Sequence, residues 1–106
     1  MDSYRCISAA QAAELLDAGA TVADIRDAGS FQQSHIPGAH NVSNENLPQF
    51  IAEADLDSPL IVCCYHGISS QSAAAYLLNQ GFDTVYSLDG GYELWHMTYP
   101  DRHQAG

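Results

Sequence analysis

Leu60-Ile61-Val62-Cys63-Cys64 is an apolar run with no polar alternation, set between the turn Asp57-Ser58-Pro59 and a loop containing Gly67. A strand with one wet face alternates apolar and polar residues. A strand without alternation is buried on both faces, as strands inside parallel sheets are. Such a strand needs helices above and below it and crossover connections to its parallel neighbours. This one segment therefore constrains the fold class more than any other part of the chain.

The flanking sequence supplies the required elements. Tyr4–Ile7 reads as a short strand. Ser8 with Gln11 three residues on forms a capping box, and Ala9, Ala12, Ala13 and Leu16 then share one helical face up to Gly19. Thr21–Ile25 is a second strand, and Ser30–Ser34 one helical turn. Ile36-Pro37-Gly38 is a turn and His40–Val42 a short extended piece. Leu47–Ala54 reads as a helix with Pro48 in its first turn. Ser70–Gln80 is a helix with Ala73, Ala74, Leu77 and Leu78 inward. Val85–Leu88 is the last strand and Tyr92–Met97 the last helix. Strands alternate with helices throughout, so the expected fold is α/β: a single domain over residues 1–106, with a mainly parallel central sheet and helices on both faces. Residues 100–106 are expected to form a loose tail. There are no repeats and no internal linker.

Composition narrows the function classes. The chain has 106 residues, 46% of them hydrophobic, which fits one folded domain and excludes disorder. Three basic residues (Arg5, Arg26, Arg102; no Lys) against thirteen acidic ones give a formal charge of −10. That excludes a nucleic-acid footprint and disfavours an anionic membrane surface. No apolar run approaches the roughly 20 residues of a membrane span, and Met1–Ile7 lacks the basic and apolar regions of a signal peptide. Three cysteines, two of them adjacent, do not make a disulfide framework. The expected setting is the cytoplasm, with reduced thiols.

The chemistry points to Cys64-Tyr65-His66-Gly67-Ile68-Ser69-Ser70. Cys64 ends the buried strand, at the carboxyl edge where open α/β sheets bind ligands. The short loop can converge its N–H groups on one point, and the helix after it adds its positive dipole end. A thiol there has a lowered pKa and becomes a nucleophile. The alternative is a small buried hydrophobe, the commoner fate of a free Cys. The residues alone do not choose between these readings. Cys63 points to the opposite face and reads as core, as does Cys6. His35, His40 and His66 match no zinc spacing, and His35 reads as a hydrogen-bonding turn residue. Tyr65 and His66 read as the rim of the pocket mouth. Tyr92 and Trp95 read as packing of the last helix on the sheet.

Three segments together carry a family resemblance. They are Asp24-Ile25-Arg26-Asp27 with Phe31 and Ser34-His35-Ile36-Pro37-Gly38-Ala39; the Cys64 loop; and Val85-Tyr86-Ser87-Leu88-Asp89-Gly90-Gly91-Tyr92-Glu93-Leu94-Trp95. In this order they resemble the signatures and active-site loop of the rhodanese-like sulfurtransferases. The resemblance implies a ping-pong sulfur transfer in which Cys64 attacks thiosulfate and carries a persulfide. It implies that Tyr65, His66, Gly67, Ile68, Ser69 and Ser70 form the loop that binds substrate and persulfide through backbone N–H groups. The implied acceptor is a thiophile, such as cyanide or a dithiol, a dithiol protein such as thioredoxin included. No metal or organic cofactor is implied, and Arg26 is implied to form a structural ion pair beneath the loops. The alternative within the resemblance is a sulfur-relay module fed by a partner protein or by polysulfide. Many relatives carry Arg where this chain has Ser69. Related phosphatases have a loop one residue longer that ends in Arg, so the resemblance points away from phosphoryl chemistry.

Overall fold

The computed structural model describes residues 3–106; Met1 and Asp2, at the start of the expected domain, lie outside the described residues. The elements in chain order are β1 (Arg5–Ile7), α1 (Ala9–Asp17), β2 (Thr21–Asp24), α2 (Ala28–Gln33), β3 (His40–Asn41), α3 (Leu47–Glu53), β4 (Leu60–Cys63), α4 (Ser69–Asn79), β5 (Val85–Leu88) and α5 (Gly91–Thr98). The sheet order is β1-β5-β4-β2-β3, and all four neighbouring pairs are parallel. The unalternating segment is thus the central strand, and every residue of β4 is buried.

Two apolar layers flank the sheet. On one face Ile7, Val22, Ile61, Cys63 and Leu88 meet Ala9, Ala12 and Ala13 of α1 and Tyr92 and Trp95 of α5. The alanines let α1 lie close to the strands. On the other face Ala23, Leu60, Val62 and Val85 meet Ala74 and Leu77 of α4, with Leu47, Phe50 and Ile51 of α3 packed alongside. Trp95 is fully buried; truncating an aromatic in such a position typically costs about 3–5 kcal/mol. The capping box of α1 is formed as read: Gln11 N donates to Ser8 Oγ at 3.1 Å, and Ser8 N donates to Gln11 Oε1 at 2.9 Å.

Four expectations change. The helical turn expected at Ser30–Ser34 is α2, which starts two residues earlier because Asp27 caps it (Ser30 N donates to Asp27 Oδ2 at 3.0 Å) and ends at Gln33, with Ser34 already extended. Cys6 is exposed, not core, because β1 is an edge strand that buries only Ile7. The strand at 60–64 ends at Cys63, which frees Cys64 to begin the loop. The segment 100–106 is not loose. Gln104 exchanges backbone hydrogen bonds with His35 (2.9 and 2.8 Å), and its side-chain Oε1 accepts from Gly38 N at 2.9 Å. Trp95 Nε1 donates to Arg102 O at 2.9 Å, and Gly106 N to Gln32 O at 2.7 Å. A mostly polar stretch with no large apolar side chain to bury is tied down here, mainly through its backbone.

The topology places a crevice. After β2 the chain moves out to β3 at one edge; after β4 it moves the other way, to β5. The carboxyl ends of these two neighbouring strands are therefore a switch point, where an open α/β sheet leaves room for a ligand. Asp24 and Cys63 are register partners there.

Candidate active site

Beneath the crevice is a buried ion pair. Arg26 Nη2 lies 2.8 Å from Asp24 Oδ2, and Arg26 Nε donates to both carboxylate oxygens at 3.1 Å. Arg26 N donates to Asp24 Oδ1 at 3.0 Å, Nη2 also donates to Ser34 O at 2.7 Å, and the guanidinium lies 4.2 Å from the centre of the Tyr92 ring. Both charges are spent on each other and on backbone. Removing one partner of such a pair typically costs about 3–5 kcal/mol, because the other is left buried and uncompensated. The pair ties the loop after β2 to α5.

Above it the Cys64 loop is held from two sides. Its carbonyls face α5: Tyr92 N donates to Cys64 O at 2.8 Å and Glu93 N to Tyr65 O at 3.3 Å. Among the described residues no side chain caps α5, so these carbonyls take the place of a cap. Its amides face the sulfur: Gly67 N lies 3.1 Å and Ser70 N 3.3 Å from Cys64 Sγ. Among the described residues no side chain caps α4 either. The thiol of Cys64 accepts the amide that a capping oxygen would otherwise take, at the positive end of an eleven-residue helix.

Two glycines make this geometry possible. Gly67 has φ +86°, and a Cβ there would lie 2.7 Å from Gly90 N. Gly91 has φ +61°, and a Cβ there would lie 2.4 Å from Cys64 O and 2.5 Å from the Tyr65 carbonyl. The Gly90-Gly91 turn and the Cys64 loop touch backbone to backbone.

The electrostatics of the two adjacent cysteines diverge. Burial pushes the Cys64 thiol up, but hydrogen bonds from Ser70 (side chain and N–H), Gly67 N–H and His66 N–H outweigh it and hold the thiol below its ordinary value. Burial, joined by the nearby Asp24 carboxylate, pushes the Cys63 thiol well above it. Cys63 lies on the other face, in the core layer of α1 and α5. In a Cys6→Ser background, iodoacetamide should therefore modify Cys64 with a midpoint below that of a free thiol, while Cys63 stays unmodified in the folded protein. Peptide mapping of the alkylated protein across a pH series checks this. A Cys64 midpoint at or above the free-thiol value would contradict the geometry.

The loop residues divide by role. Gly67 and Ser70 are buried and face the sulfur, whereas Tyr65, His66, Ile68 and Ser69 are exposed. The Tyr65 hydroxyl donates to the Asp27 carboxylate, and Asp27 N donates back to that hydroxyl at 3.2 Å. Hydrogen bonds from the Ser30 N–H and hydroxyl hold the Asp27 carboxyl below its ordinary value, so it is available as an acceptor. His66 Nδ1 lies 2.8 Å from Glu93 Oε2. Gln71 Nε2 donates to Gly67 O at 2.9 Å and its Oε1 accepts from Tyr4 OH at 3.3 Å, so this side chain steadies the loop from behind. The tethers to Asp27, Glu93 and Gln71, and the contact with Gly91, are not visible in any sequence spacing. Only the paired glycines at 90–91 and the acidic Asp27 after β2 give a signal. His35 hydrogen-bonds as expected, its Nδ1 donating to Phe31 O at 2.7 Å, but it lies in a β-bridge with Gln104 and not in the turn, which is at Pro37 and Gly38. A groove of about 1170 Å³ runs beside the crevice between α3 and α4, sharing Arg26 and Asp27, but Cys64 does not line it. The thiol, on a residue 3% exposed, lies in a cradle of amides instead.

Residues 8–98 match the family model of the rhodanese-like domain. The chain belongs to the rhodanese-like family. A protein of Stutzerimonas stutzeri (strain A1501) named thiosulfate sulfurtransferase GlpE is 60% identical over 100 residues, which cover 94% of this chain and 92% of that protein. A protein of the same name from Pseudomonas savastanoi pv. phaseolicola is 54% identical over 106 residues, 100% of each chain. The crystal structure of a rhodanese-related protein from Thermoplasma volcanium superposes with a TM-score of 0.77 at 28% identity, covering 90% of this chain and 93% of that one. The rhodanese-like resemblance read from three segments therefore extends over nearly the whole chain. The expected α/β fold, with its parallel sheet covered on both faces, is the observed one.

Proposed function

We propose that this protein is a thiosulfate sulfurtransferase that works through a persulfide on Cys64. The observation that carries the reading is the amide cradle: Gly67 and Ser70 N–H groups 3.1 and 3.3 Å from Sγ, at the start of α4. The names of the relatives at 60% and 54% identity support the same substrate.

In the first half-reaction the Cys64 thiolate attacks the outer sulfur of thiosulfate. The bond between the two sulfur atoms breaks, and sulfite leaves with its electron pair. Cys64 now carries a terminal sulfur anion. Loop amides that faced the thiolate stabilise the negative charge as it moves outward, with no reorganisation at the moment of reaction. In the second half-reaction a thiophile attacks that terminal sulfur. Cyanide leaves as thiocyanate and the Cys64 thiolate is restored; a dithiol, a dithiol protein such as thioredoxin included, would be left persulfidated, or, once its second thiol displaces that sulfur as sulfide, oxidised to the disulfide. Tyr65, His66, Ile68 and Ser69 contribute to sulfur binding through the loop backbone, and their exposed side chains face the incoming acceptor. A reducing compartment, the cytoplasm, suits a catalytic free thiol.

Intact mass spectrometry after mixing with thiosulfate tests the reading. A gain of one sulfur atom, mapped to Cys64 and lost on adding cyanide, supports it. No gain in folded protein overturns it.

Approach of the donor should show an unusual salt dependence. The chain carries −10 and the donor is a dianion, so the long-range field opposes encounter. The attracting groups are amides and a helix end, which act only at short range. Salt removes the long-range term first, since the Debye length is about 10 Å at 0.1 M. Raising a non-thiophilic salt from about 0.01 M to 0.1 M should raise kcat/KM for thiosulfate about twofold or more. A steady fall from the lowest salt would mean that an attractive surface field dominates.

A further inference from the structure

Ser87 is an unexpected residue for its position. It lies in β5, one strand from the centre of an all-parallel sheet, where apolar residues are the rule. It is 1% exposed, and its register partners are Val62 on β4 and Cys6 on β1. A buried hydroxyl without a partner is costly, so its partner tells what it is for. That partner is Ser70: the two Oγ atoms are 2.8 Å apart. Ser70 is itself 0% exposed, and its N–H is one of the amides on Cys64 Sγ. The chain Ser87–Ser70–Cys64 thus runs from the sheet interior to the sulfur.

Two hydroxyls that share one hydrogen bond use one of their two protons and leave the other free. If Ser87 donates to Ser70, the free proton is Ser70's, on the residue whose N–H meets the sulfur at 3.3 Å. The opposite arrangement would leave the free proton on Ser87, inside the sheet and away from a developing anion. A thiolate next to Ser70 favours the first arrangement. The Ser70 side chain is also the leading hydrogen-bonding cause of the lowered Cys64 pKa.

We propose that Ser87 is a positioning residue: its hydroxyl donates to Ser70 and turns the Ser70 proton toward Cys64 Sγ, adding a hydroxyl donor to the loop amides. This rests on Cys64 being the sulfur-carrying nucleophile.

The test is the pH dependence of Cys64 alkylation by iodoacetamide in a Cys6→Ser background. Ser87→Val and Ser87→Thr have the same shape and differ in the hydroxyl, so packing is matched between them. Thr should keep the parent midpoint. Val should move it up by about half to one pH unit, and slow alkylation about three- to tenfold at a pH below the midpoint. Ser87→Ala, which introduces no extra bulk, should shift in the same direction as Val. Ser70→Ala should also shift, and adding Ser87→Ala to it should shift nothing further, because Ser87 acts through Ser70. Equal midpoints for Val and Thr, or additive shifts in the double variant, would overturn the proposal. The alkylation readout does not depend on sulfur transfer. If the parent gains sulfur from thiosulfate and the midpoints do not move, only this inference fails. If the midpoints move and no sulfur is gained, the assignment of Cys64 as carrier fails instead.

Discussion

Replacing Cys64 with Ser should leave a folded protein that no longer transfers sulfur. The hydroxyl is slightly smaller than the thiol and can still accept from Gly67 N and Ser70 N, which lie 3.1 and 3.3 Å from Sγ. The loop therefore keeps its anchor, and stability at mildly acidic pH should change by about 1 kcal/mol or less. Activity should fall on the order of 10⁴-fold or more, because an alkoxide is not accessible near neutral pH and the exposed thiol of Cys6, on the edge strand, has no amide cradle around it. Cys63 offers no substitute: it is buried on the opposite face with its thiol pushed well up. The parent and the variant should also diverge with pH. A thiol whose folded pKa is depressed stabilises the fold fully above the unfolded thiol value, and that contribution is lost as pH falls through the folded value. The parent should thus gain Tm over Cys64→Ser as pH rises across that window. Thermal melts from acidic to alkaline pH, with thiocyanate production measured on the same samples, check both parts. Persistent turnover in Cys64→Ser would move the nucleophile elsewhere. Loss of the fold would show that the sulfur is structural.

The parts of this molecule that could be read in one dimension are those set by local chemistry. A short unalternating apolar run between turn signals reads as an interior strand, and Leu60–Cys63 became the centre of the sheet. Ser8 and Gln11 satisfy each other within one turn, so the start of α1 was visible. Cys64 stood out because a thiol, a glycine loop and a helix start follow one another directly. What remained hidden depends on which distant segments meet. Asp27 could be read as an acid but not as the acceptor for Tyr65, since 38 positions separate them. Cys6 reads as core because it lies in the first strand, yet edge position exposes it. The polar tail carries no burial signal, and only the location of His35 in space shows where its backbone bonds go. Ser87 sat inside a recognised signature and drew no separate attention, because its meaning lies in Ser70 across the interior.

Gly91→Ala should damage function more than any other single methyl added near the site. Two costs combine. At φ +61° a Cβ is disfavoured by roughly 1–2 kcal/mol. The same Cβ would also fall 2.4 Å from Cys64 O and 2.5 Å from the Tyr65 carbonyl, all backbone atoms that cannot swing aside as a side chain could. The loop must move, and it is the carbonyl side of the loop that α5 holds through Tyr92 N and Glu93 N. Displacing those carbonyls rotates the amides that face Sγ. A shift of about 1 Å in a positioned catalytic group can cost about 10²-fold in rate. The expected result is a folded protein with Tm lower by roughly 5–15 °C and kcat/KM for thiosulfate lower by about 10²-fold. The Cys64 alkylation midpoint should rise at the same time, as the thiolate loses its donors. Gly19→Ala is the control. Gly19 also has positive φ, +102°, but a Cβ there would meet nothing within 4 Å. It should lose stability from backbone strain and keep its alkylation midpoint and kcat/KM. Parent-like activity and midpoint in folded Gly91→Ala would mean that the loop tolerates the shift, and that contact with the Gly90-Gly91 turn does not set the position of the amides.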